Sequence, residues 1–147
     1  MSQRFLFYFL ITGCLALAAA ARGEQTVDLE PGRYEVAIRL DLPNIEGAAA
    51  ARLVTLCLPP TDDSGHLGLL PLSENNPLSR CPVLNVHHDG GALTFNIVCP
   101  GGNAAMAAAS YVLTPTTFEG RITMKLGGKN MTMTERQSGR RTGPCAP

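Results

Sequence analysis

The residues best suited to chemistry lie between Cys81 and Cys99, where His87 and His88 immediately precede an Asp-Gly-Gly turn at 89–91. Thiolates and imidazoles are ligands that zinc and copper accept readily, so this segment could hold a metal. Neighbouring residues on a strand point to opposite faces, however, which separates the two imidazoles. Oxidised cysteines could not act as thiolate ligands either. A disulfide-bonded hairpin therefore explains the segment more simply, and metal binding by His87 and His88 is the secondary hypothesis.

The register of this hairpin decides which cysteines can bond. A three-residue turn at 89–91 places Cys81 directly opposite Cys99, and a two-residue turn shifts the pairing by one position. Opposed Cα atoms of an antiparallel pair lie about 4.5–5.5 Å apart, within the range of a disulfide. We therefore expect Cys81 to bond Cys99 and, by elimination, Cys57 to bond Cys145. The sequential alternative joins Cys57 to Cys81 and Cys99 to Cys145.

Met131 and Met133 form a second candidate metal site, because thioethers suit the cuprous ion. A tight turn at 127–128 would set Ile122 opposite Met133 and Met124 opposite Met131, with all four side chains on one face. Methionine fills irregular space in apolar cores. The pattern therefore predicts that these methionines belong to the core, and copper binding is again the secondary hypothesis.

Charge is distributed unevenly along the chain, although 12 basic and 12 acidic residues cancel overall. Residues 121–147 contain six basic residues and a single acidic one, Glu135. Alternation along the strands places Arg121, Lys125 and Arg136 on the face opposite the methionines. This face could bind an anionic partner such as a phospholipid head group or a polyanion. The alternative is a solvated face that balances the acidic remainder of the same domain.

The N-terminal segment has the three parts of a secretory signal peptide: a basic start, apolar residues at 5–17 and alanines at 18–21. We expect cleavage after Ala21 and export to the periplasm of a Gram-negative bacterium. Cys14 offers an alternative, because residues 11–14 also match a lipoprotein cleavage site, which would anchor the protein through a lipid. Exported chains commonly pair an even number of cysteines as disulfides, and four follow the expected cut. No later segment is long and apolar enough to span a membrane.

The remaining segment, 22–147, predicts a single all-β domain. Apolar and charged residues alternate along 33–42, as expected of a strand with one buried face. The alanine-rich segment 103–113 could form a helix, but its spacing between turn signals favours a strand. Residues 59–80 contain many turn-forming residues and predict a long surface loop with at most one helical turn. We expect about seven antiparallel strands, a disulfide-stapled meander that forms a curved sheet or small barrel. The strands are predicted at 33–42, 51–58, 83–88, 92–98, 103–113, 118–126 and 130–137.

No sequence pattern of a known catalytic centre is present, since the chain lacks Gly-x-Ser-x-Gly, His-Glu-x-x-His and a phosphate-binding loop. We therefore expect no enzyme activity and no cofactor. We expect instead a non-catalytic periplasmic protein that binds an envelope component, a lipid or a partner protein, or holds an apolar ligand in the curve of its sheet. Nucleic acid is not an expected partner. Periplasmic handling of copper or zinc is the alternative function.

Several short motifs together resemble a known family. They are Pro31-Gly32-Arg33-Tyr34-Glu35 at the first strand, single cysteines at 57, 81 and 99, the hairpin between the latter two, and Gly139-Arg140-Arg141-Thr142-Gly143-Pro144-Cys145. Their order and spacing resemble the uncharacterised bacterial family known as domain of unknown function 3617, over nearly all of 22–147. Tyr34 departs from the tryptophan that is more common in the family, and its hydroxyl needs a hydrogen-bond partner on the core face. The resemblance implies an exported protein with no established activity, so it adds no catalytic residue.

Overall fold

The computed structural model describes residues 27–43, 51–60, 64–127 and 131–146. They form one antiparallel sheet of seven strands in the order β2-β1-β7-β6-β5-β4-β3, which confirms the predicted all-β class and the meander from β3 to β7. The sheet is open, with β2 and β3 at its edges, and is not a closed barrel. The strands are β1 (Gly32–Asp41), β2 (Arg52–Leu58), β3 (Val83–Asp89), β4 (Ala92–Val98), β5 (Met106–Leu113), β6 (Thr117–Leu126) and β7 (Met131–Gly143).

Two features expected near the N-terminus, the signal peptide at 1–21 and the lipidation site at Cys14, lie outside the described residues. Within the described ranges, no helix is both long enough and apolar enough to cross a membrane.

The sheet buries one of its faces, called the inner face here, and exposes the other, the outer face. Along β1, the buried side chains of Tyr34, Val36 and Ile38 alternate with the exposed side chains of Arg33 and Glu35. This is the pattern predicted for 33–42, and it follows because successive side chains of a strand project to opposite sides. The core therefore lies on the inner face alone, and the outer face carries the polar half of each strand.

The alanine-rich segment forms strand β5, as the turn signals favoured, although alanine is the strongest helix former. β5 has a hydrogen-bonded neighbour on both sides, β4 and β6, so its backbone is paired along both edges. Its side chains alternate between buried and exposed, and Ala107, Ala109 and Tyr111 are among those on the inner face. Tertiary pairing and burial thus outweigh the local helical propensity of the alanines.

The predicted loop at 59–80 does more than connect β2 to β3, because its described part, the covering loop at 64–80, packs over the inner face. Leu69 and Leu78 in this loop are completely buried. A short 3-10 helix, Pro77–Arg80, is capped by Asn76, whose side chain accepts a hydrogen bond from the Leu78 N–H. A single sheet must cover its apolar face with another layer, and here a loop with several leucines supplies it. The segment was expected to lie on the surface, but its leucines are part of the core.

A row of aromatic rings crosses the inner face beneath this loop. The ring centroids of Tyr34 and Phe118 are 5.8 Å apart, those of Phe118 and Tyr111 are 6.0 Å apart, and those of Tyr111 and Phe95 are 5.9 Å apart. The ring of His66, from the covering loop, lies 5.8 Å from Phe95. Aromatic pairs at these separations stabilise by about 1 kcal/mol beyond their area burial. The aromatic row therefore forms a continuous part of the core on the inner face.

The hairpin of β6 and β7 has a different register from the predicted one. Met124 faces Met133, and Ile122 faces Glu135, two residues away from the expected pairing. The shift arises because β6 ends at Leu126 and β7 begins at Met131, so that four residues separate the strands where the prediction allowed two. The methionines still share one face with Ile122, as alternation requires. Met131 is nevertheless 58% exposed, so its predicted place in the core was wrong.

Candidate functional site

The disulfide-bonded hairpin has a shorter turn than predicted. Asp89 faces Ala92, so only Gly90 and Gly91 form the turn. Further along β3, residues 85–86 lie opposite a single residue of β4, which is a β-bulge, and the bulged Asn85 has a φ of 55°. The shorter turn shifts the pairing of the two strands by one residue, and the extra residue at the bulge reverses this shift.

The bulge therefore brings Cys81 opposite Cys99, and the two are joined by a disulfide with their Cα atoms 4.8 Å apart. The second disulfide joins Cys57 to Cys145, with Cα atoms 5.7 Å apart. It links edge strand β2 to the segment that follows β7. Both bonds match the predicted pairing, and the sequential alternative is absent from the described residues.

Peptide mapping under non-reducing conditions should recover these two pairings. We expect one cross-linked peptide containing Cys57 and Cys145 and a second containing Cys81 and Cys99. Thiol-blocking reagents should be present from lysis onward, because a free thiolate can exchange with a disulfide. Peptides that join Cys57 to Cys81 in the native protein would contradict the register of the hairpin.

The bulge also decides which histidine faces the core. His88 lies on the inner side, half-buried, with its Nε2 atom 3.2 Å from the carbonyl oxygen of Gly65. Its Nδ1 atom is buried and has no hydrogen-bond partner in the part of the chain that the structure describes. His87 faces outward, opposite Thr94, and is exposed. The two imidazoles are therefore on opposite faces of the sheet. They cannot bind the same metal ion, as the metal hypothesis for this pair requires.

The methionines considered for copper lie at the other end of the sheet. Met133 faces Met124, whose Sδ atom accepts a hydrogen bond from the Asn76 side chain at 3.0 Å. Across the described ranges, no group of three or more histidine, cysteine, aspartate or glutamate side chains is placed to hold a metal ion. Met124 and Met133 pack in or against the core, whereas Met131 is exposed.

Three arginines lie in one row on the outer face. Arg39 of β1 is directly opposite Arg136 of β7, and Arg136 is directly opposite Arg121 of β6. We call these three residues the arginine row. All three side chains are exposed. Adjacent strands are about 4.8 Å apart, so the row places three guanidinium groups across roughly 10 Å of sheet.

The same line of register continues beyond the arginines with polar residues. Ser110 of β5 faces Arg121, Thr94 of β4 faces Ser110, and His87 of β3 faces Thr94. Each of these side chains is exposed and can donate a hydrogen bond. Lys125, the third residue of the predicted cationic face, also lies on the outer face of β6 and is exposed. The predicted set of Arg121, Lys125 and Arg136 thus shares one face.

The arginine row keeps most of its hydrogen-bonding capacity. The Arg136 Nε atom donates to the Asp41 carboxylate, and its remaining nitrogens have no partner among the described residues. Neither Arg39 nor Arg121 forms an ion pair or hydrogen bond with any residue that the structure describes. Glu119 is a second acidic residue beside them, and its carboxylate accepts a hydrogen bond from Ser138 at 2.6 Å. Two guanidinium groups and part of a third are therefore available to a ligand.

Two shallow depressions in the outer face meet at the arginine row. Arg136 and Glu119 border both of them. The larger, about 510 Å³, lies over β4, β5 and β6, and the smaller, about 270 Å³, lies over β1 and β7. The larger is lined by residues that include Thr94, Ser110, Val112 and Arg121. A ligand in either depression would lie against guanidinium groups on one side and small or apolar side chains on the other.

A family model described as a protein of unknown function (DUF3617) matches residues 29–145. The chain belongs to this family. No curated protein and no solved structure matches it. The Tyr34 hydroxyl, which stands where a tryptophan was expected, donates to the carbonyl oxygen of Glu30 at 2.7 Å, and burial raises the pKa of this phenol. The DUF3617 domain thus accepts the hydroxyl without leaving a buried polar group unpaired.

A second cluster of polar side chains in the DUF3617 domain lies on the inner face, where Glu135 and Gln137 of β7 are almost completely buried. The Glu135 carboxylate accepts from the backbone N–H groups of Leu72 at 2.8 Å and Ser73 at 3.1 Å, both in the covering loop. It also accepts from the Gln137 amide at 2.6 Å. These bonds attach the covering loop to the sheet.

Gln137 extends this cluster in two directions. Its amide nitrogen donates to the Leu70 carbonyl at 2.8 Å, and its amide oxygen accepts from the Tyr111 hydroxyl at 2.9 Å. Burial and, to a smaller extent, the charge of Glu135 raise the pKa of the Tyr111 phenol, so the hydroxyl stays protonated and donates. Each group in this cluster has a partner, which indicates a structural role rather than a reactive one.

The sequence interpretation missed Arg39 and the buried pair Glu135 and Gln137. Alternation along β1 already assigns Arg39 to the outer face, but only the pairing of β1 with β7 brings it beside Arg136. Alternation likewise assigns Glu135 and Gln137 to the methionine face. Two polar residues on a predicted core face indicate a buried hydrogen-bond cluster, because burial without partners is costly. That signal was available in the sequence.

Proposed function

We propose that this DUF3617 protein is a non-enzymatic binding protein of the bacterial periplasm that holds an anionic ligand on the outer face of its sheet. The arginine row carries the proposal. Like charges directly opposite one another in a sheet are destabilising. The three arginines lie on adjacent strands of the sheet and form two such pairs. A bound anion would remove the repulsion and occupy the unpaired guanidinium groups.

The chemistry of arginine narrows the ligand to one that carries phosphate or carboxylate groups. A guanidinium group presents its donors in a planar fork that matches the oxygens of these anions. Ser110 and Thr94 continue the row and can donate to further oxygens. Asp41 and Glu119 oppose an anion, but Asp41 bonds one nitrogen of Arg136 and Glu119 bonds Ser138. The ion pair with Asp41 offsets the charge of Arg136, so the unpaired positive charge lies on Arg39 and Arg121. Arg136 contributes its remaining N–H donors.

The disulfides support the proposed compartment. Two disulfides are typical of proteins that fold outside the reducing cytosol, and their presence is consistent with an extracytoplasmic location. The expected signal peptide at 1–21 narrows this to the periplasm. The absence of a recognisable catalytic pattern in the sequence, together with the fully partnered polar cluster at Glu135, supports binding rather than catalysis.

Inositol hexakisphosphate, a soluble cluster of phosphates without an apolar part, is a suitable probe of the arginine row. In isothermal titration at low ionic strength, we expect Arg121→Ser to weaken binding at least tenfold, a loss of about 1.4 kcal/mol. Glu119→Gln should strengthen binding about twofold to threefold, because it removes an opposing charge that borders both depressions. Added salt should weaken binding of the unmodified protein.

Arg52→Ser is the matched control, since it makes the same change in net charge outside both depressions. Arg52 lies opposite Ile38, on the inner-face side of edge strand β2, and pairs with Glu74. We expect its affinity for the probe to stay within twofold of the unmodified protein. An equal loss in Arg52→Ser and Arg121→Ser would mean that binding follows net charge alone, and the proposal would then fail. Absence of any binding by the unmodified protein would also overturn it.

A further inference from the structure

The exposed apolar side chains of this protein are concentrated on the same face as the arginine row. Of seven large apolar side chains that are exposed within the described ranges, five project from the outer face. The register of the strands fixes this, because each of the five occupies an outward position. They are Leu53, Leu84, Val98, Met106 and Val112. An outer face that only had to be solvated would not require them.

Two of these apolar side chains lie next to cations. Met106, which is 48% exposed, directly faces Lys125 of β6. Val112, which is 65% exposed, lies two positions along β5 from Ser110, the residue that faces Arg121. Val112 also lines the depression of about 510 Å³ that Arg121 borders. At two separate places on the outer face, an apolar side chain therefore accompanies a cation that lacks a partner among the described residues.

We infer that the anion bound at the arginine row is the head group of a phospholipid, and that the outer face docks onto an anionic lipid surface. This inference rests on the proposed function and names its ligand. A soluble polyanion would satisfy the arginines but would leave Val112 and Met106 in water. An anionic lipid satisfies both, because its phosphate meets the guanidinium groups while its acyl region accepts the apolar side chains. Each basic residue near such a surface adds to the electrostatic attraction.

Charge complementarity selects this occupant over an uncharged partner. Arg39, Arg121 and Lys125 form no ion pair with any residue in the described ranges. They spread across β1 and β6 rather than lining one enclosed pocket. The depressions beside them are shallow and open to the outer face, so a ligand presented by a surface can reach them. A single small anion would occupy only part of this area.

Vesicle binding tests the inference on the protein with its disulfides intact. Flotation is measured with vesicles of phosphatidylglycerol and phosphatidylethanolamine, and with vesicles of phosphatidylcholine alone. We expect binding to the anionic vesicles, and at least tenfold weaker binding to phosphatidylcholine. The double variant Val98→Ser/Met106→Ser changes two outer-face side chains that face each other and line neither depression. It should bind anionic vesicles at least fivefold more weakly, with its affinity for inositol hexakisphosphate within twofold of the unmodified protein.

Met131→Ser is the matched control for this experiment, since Met131 is 58% exposed but lies on the inner-face side of β7. We expect it to change neither vesicle binding nor binding of the soluble probe, whereas Arg121→Ser should weaken both. Equal binding to the two vesicle types, or a loss in Met131→Ser as large as that in the double variant, would overturn the lipid inference and leave the anion site in place. Failure of the Arg121→Ser comparison with the soluble probe would overturn the anion site itself.

Discussion

Replacing Glu135 with alanine is expected to lower the free energy of unfolding by about 3 kcal/mol. The carboxylate is completely buried, and it is the acceptor for the backbone N–H groups of Leu72 and Ser73 in the covering loop. Truncation removes the acceptor of both part-buried donors, and each loss costs up to about 1–3 kcal/mol. Part of this cost is recovered, because the buried charge itself is removed.

The isosteric change Glu135→Gln separates hydrogen bonding from the loss of volume. The glutamine amide keeps one oxygen acceptor, for the N–H of either Leu72 or Ser73. Its NH₂ group then faces the other N–H, which loses its acceptor. We therefore expect an intermediate loss of about 1–2 kcal/mol. Glu74→Ala is the control, because Glu74 forms a solvent-exposed pair with Arg52 and should change stability by less than about 0.5 kcal/mol.

Urea unfolding followed by circular dichroism measures the free energies, and hydrogen exchange of the Leu72 and Ser73 amides reports on the attachment of the covering loop. In Glu135→Ala both amides should lose protection before the amides of β6 and β7 do, because the loop then opens locally. If Glu135→Ala were as stable as Glu74→Ala, the covering loop would be held by its leucines alone and the assigned role of Glu135 would be wrong.

Strand positions could be predicted from the sequence because alternation is a local property. β1 alternates residue by residue, and the expected range of 33–42 differs from the observed Gly32–Asp41 by one residue at each end. The same reasoning placed Arg121, Lys125 and Arg136 on one face. Alternation does not specify which strands are neighbours, however. The arginine row could not be completed because Arg39 reaches Arg136 only through the pairing of β1 with β7.

Register was less predictable, because it depends on turn length and on bulges. In the first hairpin the expected turn was one residue too long, and the bulge at Asn85 compensated, so Cys81 still faced Cys99. In the second hairpin no bulge offset the longer turn, and the observed register differs from the expected one by two residues. A sequence pattern can predict a disulfide across a hairpin when the ends must meet. It cannot predict where the extra residue is accommodated between them.

The covering loop shows a different limit of sequence interpretation. Pro, Gly, Asp and Asn residues between 59 and 80 indicate turns, and turns usually lie on the surface. The leucines within the segment indicate burial, but no periodicity assigns them to a helix or strand. Only the requirement that a one-layer sheet must cover its apolar face explains their position. The buried Leu69 and Leu78 therefore follow from the whole fold and not from the local pattern.

Gly139→Ala is expected to destabilise the protein by about 3 kcal/mol, although alanine normally improves a strand position occupied by glycine. Gly139 of β7 lies directly opposite Phe118 of β6. A Cβ atom at residue 139 would lie 2.2 Å from the Cε1 atom and 2.3 Å from the Cζ atom of Phe118, well inside van der Waals contact. The ring cannot move aside easily, because it is buried between Tyr34 and Tyr111 in the aromatic row.

Gly102→Ala is the matched control, since a Cβ atom there would meet nothing within 4 Å. It should leave stability unchanged within about 0.5 kcal/mol, and chemical denaturation of both variants compares them directly. In a double-mutant cycle, Phe118→Ala should relieve most of the penalty of Gly139→Ala, so the two losses should add to clearly more than the loss in the double variant. Additive losses would mean that the ring does not occupy the space above Gly139. The aromatic row would then lack the close ring-to-backbone packing that these distances imply, and the inner face would be filled less tightly than the geometry indicates.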